Sequence, residues 1–271
     1  MASGYASHYG EFKRDEAQTT LVCFHDLLGF GEMVALSGGS LDSAVGDLCR
    51  KRIEGLRKNI GKAESEFPLG TKLFQMNDSA VAVCDIDHYI SRMHLHKQGV
   101  ASNKPDKSVF LKTVQFLVAS AEMHMRTEFG EEQTRIGPAG RTIVVAGHRW
   151  PITLDETDNV EDVPELQANL AFSEAYLVDS QGSSIGLNGL SMYMNDLMYW
   201  LLKLGSDQSP EIAAALASSV DVRGMKFPEL TQFAQGPNVN ATVFHRKVEY
   251  RQLHSHVVAR LRGALDQVAN V

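Results

Sequence analysis

The stretch Leu21-Val22-Cys23-Phe24-His25-Asp26-Leu27-Leu28-Gly29-Phe30-Gly31 is the most informative part of this sequence for both the fold and the candidate site. Its apolar start predicts a buried strand that ends in one acid, Asp26, and a glycine turn and a helical pattern from about Glu32 follow. A helix N-terminus offers unpaired backbone N–H groups and partial positive charge, and a carboxylate is a hard oxygen ligand for Mg²⁺ or Mn²⁺. The stretch therefore predicts a place for a polyphosphate and its metal, although a lone Asp at a strand end more often serves a turn or a cap.

A second segment, residues 72–84, strengthens this interpretation because its pattern predicts a β-hairpin. Strand-like runs flank Asn77-Asp78-Ser79, and Asn and Asp are frequent turn residues. If both strands neighbour the first one, Asp78 at the hairpin tip can face Asp26. Two carboxylates on adjacent strand ends, with a phosphate-binding turn between them, suit a two-metal phosphoryl-transfer site.

The pattern Phe24-x-Asp26-Leu27-x-Gly29-Phe30, followed by a hairpin with an acid at its tip, resembles the class III nucleotidyl cyclases. The resemblance implies an α+β fold, a ferredoxin-like sandwich with a mixed, mainly antiparallel sheet and packed helices. It implies two ions per site, Mn²⁺ or Mg²⁺, bound by the catalytic acids Asp26 and Asp78 and by the main chain of Leu27. It also implies that Gly29, Phe30 and Gly31 hold the triphosphate. The family usually has Gly-Asp at the hairpin tip, where this chain has Asn before the acid.

The helix predicted over residues 165–180 departs from the purine cyclases of the family. Those carry Val-Asn-x-Ala-x-Arg, where this chain has Ala168-Asn169-Leu170-Ala171-Phe172-Ser173, or Ala175-Tyr176 at the Ala-Arg end on another register. Neither register contains the arginine. The resemblance to the family helix implies that Asn169, and Tyr176 on the second register, bind the substrate. The run Ala-Phe-Ser-Glu-Ala-Tyr-Leu-Val-Asp is similar to the helix of the stand-alone pyrimidine cyclases of Pycsar antiphage systems.

Phe74 stands where purine cyclases of the family place a base-selecting Lys or Glu. Phe cannot make the hydrogen bond that reads a purine edge, and a bulky apolar wall suits a smaller base, although a structural role is the alternative. With Phe24, Phe74 completes the expected substrate contacts. The resemblance favours conversion of UTP to 3′,5′-cyclic UMP and diphosphate; CTP, a purine nucleotide or an inactive nucleotide-binding module are alternatives. It also implies a homodimer with sites at the interface, and a separate effector that senses the product in antiviral defence.

Composition indicates a globular protein with one sizeable core. The chain has 271 residues, 44% hydrophobic and 22% charged, which fits a flexible start over 1–19 and one domain over 20–271 with a C-terminal elaboration. A net charge of −7 argues against a nucleic-acid partner held by phosphate contacts. With no apolar run of about 20 residues, we expect a cytoplasmic protein without a membrane partner. The three cysteines have no metal-type spacing, and the two that lie in predicted strands, Cys23 and Cys84, are expected in the core.

Weaker patterns predict the remaining elements. The basic residues between 50 and 58 indicate a solvated helix face, and the alternative is that one of these cations reaches the phosphates. Gly137 and Gly140 indicate close backbone approach or a bulge between two strands at 134–147. His124 is expected to be a partly buried, hydrogen-bonded side chain. The other predicted elements are helices at 32–60 with a break at 37–40, 109–128, from 197, 210–219 and from 252, an irregular stretch at 223–241, and strands at 185–194 and 241–250.

Overall fold

The computed structural model describes residues 17–40, 42–90, 104–129, 140–150, 163, 165–182, 186–187, 191–217, 221–226 and 249–269. The strands are β1 (Gln18–Leu27), β2 (Lys72–Met76), β3 (Ser79–Ile86), β4 (Gly140–Arg149), β5 (Met192–Asn195), β6 (Asp221–Lys226) and β7 (Glu249–Leu253). The helices are α1 (Phe30–Leu36), α2 (Ala44–Ala63), α3 (Lys107–Phe129), α4 (Leu170–Ser180), α5 (Asp196–Gly205), α6 (Pro210–Ala217) and α7 (Ser255–Ala269). Short 3₁₀ turns follow α2 and α5.

The strand pairing confirms the predicted α+β class. The strands form one sheet in the order β2-β3-β1-β4-β5-β7-β6. β1 pairs antiparallel with both β3 and β4, and among the described pairs only β4 with β5 is parallel. A strand-helix-strand-strand-helix-strand order with the first strand inside the sheet is the ferredoxin-like arrangement. The sheet is therefore mixed and mainly antiparallel, as predicted.

Both faces of the sheet are buried, and the alternation along β1 divides its side chains between them. Cys23 and Leu27 belong to the larger core, to which α2, α3, α5, α6 and α7 contribute. Val22 and Phe24 belong to a smaller core under α4. Asp26 continues the series of Val22 and Phe24, so its carboxylate lies on the α4 side of the sheet.

Most predicted elements are present, with shifted ends. β1 begins at Gln18, before the predicted domain start at residue 20, and the helix predicted from residue 165 begins only at Leu170. The irregular stretch predicted over 223–241 is wrong for 223–226, which belong to β6. This edge strand pairs with β7 through a shifted register, and its glycine and charged residues give no strand signal without that partner. The segment 134–139 and most of the strand predicted over 241–250 lie outside the described residues.

All three cysteines are core residues, as predicted for Cys23 and Cys84. Cys23, Cys49 and Cys84 are free and buried. Burial raises the pKa of the Cys23 thiol to about 12, which keeps it protonated and unreactive. A membrane-crossing helix, long and apolar enough to span, does not occur in the described part of the chain.

Candidate functional site

The structure brings Asp26 and Asp78 together at one end of the sheet. β1 pairs with β3 so that Asp26 lies opposite Ser79. The Leu27 amide donates to the Asp78 carbonyl oxygen at 3.1 Å, and the Ser79 hydroxyl donates to Asp26 Oδ1 at 2.7 Å. Both aspartates are half-buried. The adjacency expected from the two sequence segments is therefore present in the fold.

The hairpin tip consists of Asn77 and Asp78, between β2 and β3. Asn77 has a φ of 52°, in the left-handed region that two-residue hairpin turns require. Asn tolerates this region better than most residues with a side chain. Asn77 therefore supplies the positive φ of this tight hairpin turn.

The turn after Asp26 leads directly into a helix N-terminus. Gly29 has a φ of 72° and precedes the first residue of α1, Phe30, so α1 starts earlier than the predicted Glu32. Gly29 and Gly31 are exposed, and no side chain caps the helix. The N-terminal amides of α1 thus lie on an open surface beside the two aspartates, as a phosphate-binding turn requires.

Asp26 lies in an acidic environment. Burial raises the pKa of its carboxyl group to about 6, the Asp179 and Asp78 carboxylates add to this, and the Ser79 hydroxyl opposes it. The cation nearest in register is Arg141, opposite Asp26 on β4. Arg141 is hydrogen-bonded to Asp179 instead: its Nε donates to Asp179 Oδ1 at 2.7 Å, and its Nη2 donates to the Asp179 carbonyl oxygen at 2.5 Å. Asp26 and Asp78 therefore retain negative charge that a divalent cation would offset.

The donor set fits a hard divalent metal ion. Two neighbouring carboxylates supply oxygen ligands of the type that Mg²⁺ and Mn²⁺ prefer. Within the described ranges, no group of three or more His, Cys, Asp and Glu side chains is placed to hold a metal. Main-chain carbonyl oxygens are a further source of hard oxygen ligands. The N–H and C=O of one strand residue point to the same neighbour, and the Leu27 N–H points to Asp78. The Leu27 carbonyl is therefore the main-chain group to consider.

Three of the predicted substrate residues, Phe24, Phe74 and Tyr176, lie together on the α4 side of the sheet. Phe74 pairs with Val81, and Val81 pairs with Phe24, which gives a row across three strands. The Tyr176 ring meets Phe24 edge-on with 5.9 Å between ring centroids, and Tyr176 is 53% exposed. Asp26 follows Phe24 on the same face, about 7 Å further along the strand. The structure therefore places an aromatic cluster next to the acids, in which Phe24 is buried and Tyr176 is exposed.

Asn169, also predicted to contact the substrate, lies apart from this group, and its substrate contact stays a prediction. Its Oδ1 accepts from the Phe172 amide at 2.9 Å, and its Nδ2 donates to the Glu165 carbonyl oxygen at 2.8 Å. The residue is 1% exposed. Its backbone forms an isolated β-bridge with Arg149, which lies at the end of β4 that is remote from Asp26. Both polar groups of the side chain serve the start of α4, so Asn169 is a helix cap.

The basic surface of α2 divides into two kinds of residue. Arg52 is only 7% exposed and turns inward, where Nη1 and Nη2 donate to the Leu28 carbonyl oxygen at 3.2 and 3.1 Å. On the helix surface, Arg50 and Lys51 form ion pairs with Asp47. The predicted solvated face is confirmed for the exposed members, Arg50, Lys51, Arg57 and Lys58.

His25 and His124 share one hydroxyl group behind the site. Each Nδ1 lies 2.8 Å from Thr142 Oγ1, and because a hydroxyl has one proton, it donates to one ring and accepts from the other. Burial lowers the pKa of His25 to about 3, with the charges of His124 and Arg52 adding to it, and burial lowers the pKa of His124 to about 4. His124 is thus a buried, hydrogen-bonded residue, as predicted.

We expect the free energy of unfolding to fall as the pH drops from about 6.5 towards 4. The unfolded chain binds protons at both histidines in this range and the folded chain does not, so each histidine contributes a slope of at most about 1.4 kcal/mol per pH unit. Asp26, whose pKa is raised, contributes a slope of the opposite sign below about 6. Urea unfolding at several pH values measures the sum.

Two variants isolate the histidine contribution to this pH dependence. His124→Asn retains a nitrogen near the Thr142 hydroxyl and should flatten the acid slope. The same measurement on His256→Gln, at an exposed position of α7, should reproduce the wild-type slope. An acid slope that His124→Asn leaves unchanged would contradict the assignment.

Three residues of the site were not predicted from the sequence, namely Ser79, Arg141 and Asp179. Ser79 directly follows Asp78, so its hydroxyl could have been anticipated from the strand pairing. Arg141 and Asp179 meet only because β4 and α4 run in opposite directions beside each other, and no short-range pattern encodes that contact. Gly182 reflects it, since a Cβ there would lie 2.2 Å from Arg141 Nη1.

Comparison with known proteins gives structural likenesses alone. No protein-family model and no curated protein sequence matches the chain. Two structures of a bacterial light-regulated adenylyl cyclase align at 8% and 9% identity with TM-scores of 0.44 and 0.45, covering 92% of this chain and 98% and 58% of theirs. A class III adenylyl cyclase-like ATP-binding protein from Pseudomonas aeruginosa aligns at 12% identity and a TM-score of 0.41, over 71% of this chain and 36% of that one. Likenesses this weak carry no argument about substrate or reaction.

Proposed function

We propose that the chain is a nucleotidyl cyclase of the class III type, which forms a 3′,5′-cyclic nucleotide and diphosphate from a nucleoside triphosphate. The observation that carries the proposal is the placement of Asp26 and Asp78 on neighbouring strand ends, beside the Gly29 turn and the N-terminus of α1. An acidic pair next to unpaired backbone amides suits a metal-bound triphosphate. The sequence pattern that suggested the reaction and the geometry of the site therefore point the same way.

In the proposed mechanism, the chain binds and orients the reacting groups. Asp26, Asp78 and the Leu27 carbonyl would hold two Mn²⁺ or Mg²⁺ ions, which lower the pKa of a coordinated hydroxyl and neutralise charge on a leaving diphosphate. The Ser79 hydroxyl fixes the Asp26 carboxylate, and the amides of Gly29 to Gly31 bind the triphosphate. The ribose 3′-oxygen attacks the α-phosphorus, its proton passes to solvent, and the bond to diphosphate breaks.

We propose UTP as the substrate. Phe74 is half-buried in the row with Val81 and Phe24, where an apolar wall leaves room for a smaller base and offers no purine-specific hydrogen bond. CTP would fit against the same apolar side chains, and among the described residues no side chain distinguishes UTP from CTP. An antiviral role, with a separate effector that senses the cyclic nucleotide, follows from the resemblance alone.

A homodimer with sites at its interface is part of the proposal. It follows from the resemblance, and Tyr176 of α4, 53% exposed beside Phe24, is the large side chain next to the site that a second subunit would cover. The arginine that α4 lacks would then have to come from another segment or another subunit.

An inactive nucleotide-binding module is the second candidate. The observation that favours it is the absence of any cation in α4, whose sequence from Leu170 to Ser180 contains neither Lys nor Arg. Without a cation near the α-phosphate, a site can bind a triphosphate and fail to stabilise the charge that develops during transfer. The presence of both Asp26 and Asp78 argues against an inactive module, because a site that no longer catalyses the reaction would not need both metal-binding acids.

The deciding experiment is incubation of the purified protein with ATP, GTP, CTP and UTP, each with Mn²⁺, followed by mass-resolved chromatography. We expect cyclic UMP and diphosphate as the major products. Cyclic AMP or GMP would retain the reaction and overturn the interpretation of Phe74. Saturable triphosphate binding without any cyclic product would favour the inactive module.

A further inference from the structure

Arg52 lies on the buried face of α2 and reaches the turn that follows Asp26. Cys49, Arg52 and Leu56 are spaced along one side of the helix and are all buried. Ser43 caps the helix by accepting the Gly46 amide, which fixes the start of α2. The charged end of Arg52 is therefore presented to the sheet by a well-defined helix, unlike the surface cations of α2.

The guanidinium holds one main-chain oxygen with two donors. Nη1 and Nη2 both donate to the Leu28 carbonyl at 3.2 and 3.1 Å, and Nη1 also lies 3.2 Å from Met33 Sδ of α1. Arg52 thus connects α2 to the turn and to the short helix after it. A planar fork can make this paired contact, and the single ammonium group of Lys cannot reproduce it.

This contact lies on one side of the Leu27–Leu28 peptide, and a second anchor lies on the other. The Leu27 amide is fixed by the Asp78 carbonyl at 3.1 Å, and the Leu28 carbonyl is fixed by Arg52. The peptide between them is planar, so anchors on both sides restrict the direction of the Leu27 carbonyl. The Arg52 charge also interacts favourably with Asp78 and Asp26, while burial lowers the pKa of the guanidinium.

We infer that Arg52 is a positioning residue, which fixes the turn from Leu27 to Gly29 and thereby aims the Leu27 carbonyl at the metal site. The inference rests on the proposed function, since it assumes that Asp26, Asp78 and Leu27 bind a divalent ion. Arg52 acts through the backbone and does not touch the reacting groups.

The test compares Mn²⁺ affinities of Arg52→Lys and Arg52→Met by calorimetry on the full chain without nucleotide. Loss of a positioning contact should weaken binding in both variants, by about 10- to 100-fold. A cation that only balances the acids would give another pattern: unchanged affinity in Arg52→Lys, and tighter Mn²⁺ binding in Arg52→Met because a positive charge is gone. Either of these results would overturn the inference.

Controls separate this role from a loss of fold. Arg57→Met makes the same substitution at an exposed position of α2 and should bind Mn²⁺ like the wild type. Hydrogen exchange of the amides from Leu28 to Met33 should accelerate in Arg52→Lys even if its melting temperature is unchanged, and unchanged exchange would count against the anchor.

The outcomes for Arg52 and for the proposed reaction can be distinguished. A wild-type protein that cyclises a nucleotide, together with an Arg52→Lys variant that binds Mn²⁺ equally well, removes the Arg52 inference and leaves the function. A wild-type protein that binds Mn²⁺ but forms no product removes the function, and the variant affinities still decide the role of Arg52. No Mn²⁺ binding by the wild type without nucleotide overturns the Arg52 inference, and product formation alone then decides the function.

Discussion

Asp26→Asn should abolish formation of cyclic nucleotide and Mn²⁺ binding while leaving the protein folded. The amide keeps the size of the side chain and can still accept from the Ser79 hydroxyl, which lies 2.7 Å from Asp26 Oδ1. It lacks the charge that a divalent ion requires from this ligand. Metal ions contribute several kcal/mol to such transition states, so we expect turnover to fall by at least roughly 10³-fold.

The stability of the Asp26→Asn variant should rise, although its activity and its Mn²⁺ binding are lost. Burial and the neighbouring acids raise the pKa of Asp26 from 3.8 to about 6, so folding disfavours its charged form at pH 7. Removal of that charge should raise the free energy of unfolding by on the order of 1 to 2 kcal/mol. Loss of activity with an equal or higher melting temperature is therefore the expected signature of a functional acid.

Chromatography of the products, calorimetry with Mn²⁺ and thermal unfolding measure these three quantities on the same preparation. Asp47→Asn is the matched control, because the Asp47 side chain, 42% exposed on α2, pairs only with Arg50 and Lys51 among the described ion pairs. It should retain both activity and Mn²⁺ binding. Full activity in Asp26→Asn would contradict the assignment of Asp26 as a metal ligand.

The parts of the site that the sequence predicts are those encoded within a few residues. A strand that ends in Asp26 and continues into Gly29 needs no distant partner to be recognised, and the hairpin tip at Asp78 carries its own turn residues. Their adjacency was an inference about sheet order, and the pairing of β1 with β3 confirms that order. The acidic pair can therefore be predicted from local residue types and from one correct assumption, that the hairpin strands neighbour β1.

The parts that the sequence does not predict depend on long-range packing. Arg141 meets Asp179 across 38 positions of sequence, and which of several cations turns inward from α2 is fixed by the helix phase against the sheet. Asn169 shows a different difficulty, because its local sequence allows two roles, a substrate contact or a helix N-cap. Its position directly before an apolar helical run is the N-cap signature, and the structure follows that physical rule.

Gly140→Ala should be among the most destabilising single substitutions in the chain. A Cβ at this position would lie 2.3 Å from His25 Cε1, 2.5 Å from His25 Nε2 and 2.4 Å from the Asp26 carbonyl oxygen. The His25 ring cannot retreat, because it is fully buried and bonded to Thr142 at 2.8 Å, and the Asp26 oxygen belongs to the backbone of β1. We expect a loss of about 4 kcal/mol or more in the free energy of unfolding.

Urea unfolding of Gly140→Ala and Gly55→Ala tests this contact with a matched substitution. A Cβ at Gly55 meets nothing within 4 Å, and Ala is the better helix former, so that variant should be unchanged or more stable by about 0.5 to 1 kcal/mol. Equal stability of the two variants would contradict the close approach of β4 to β1. That approach also determines where Asp26 lies, because any shift that accommodates the new methyl group must move the His25 ring or the Asp26 backbone. Gly140→Ala protein that remains folded at low temperature should therefore bind Mn²⁺ more weakly than the wild type, whereas Gly55→Ala should not.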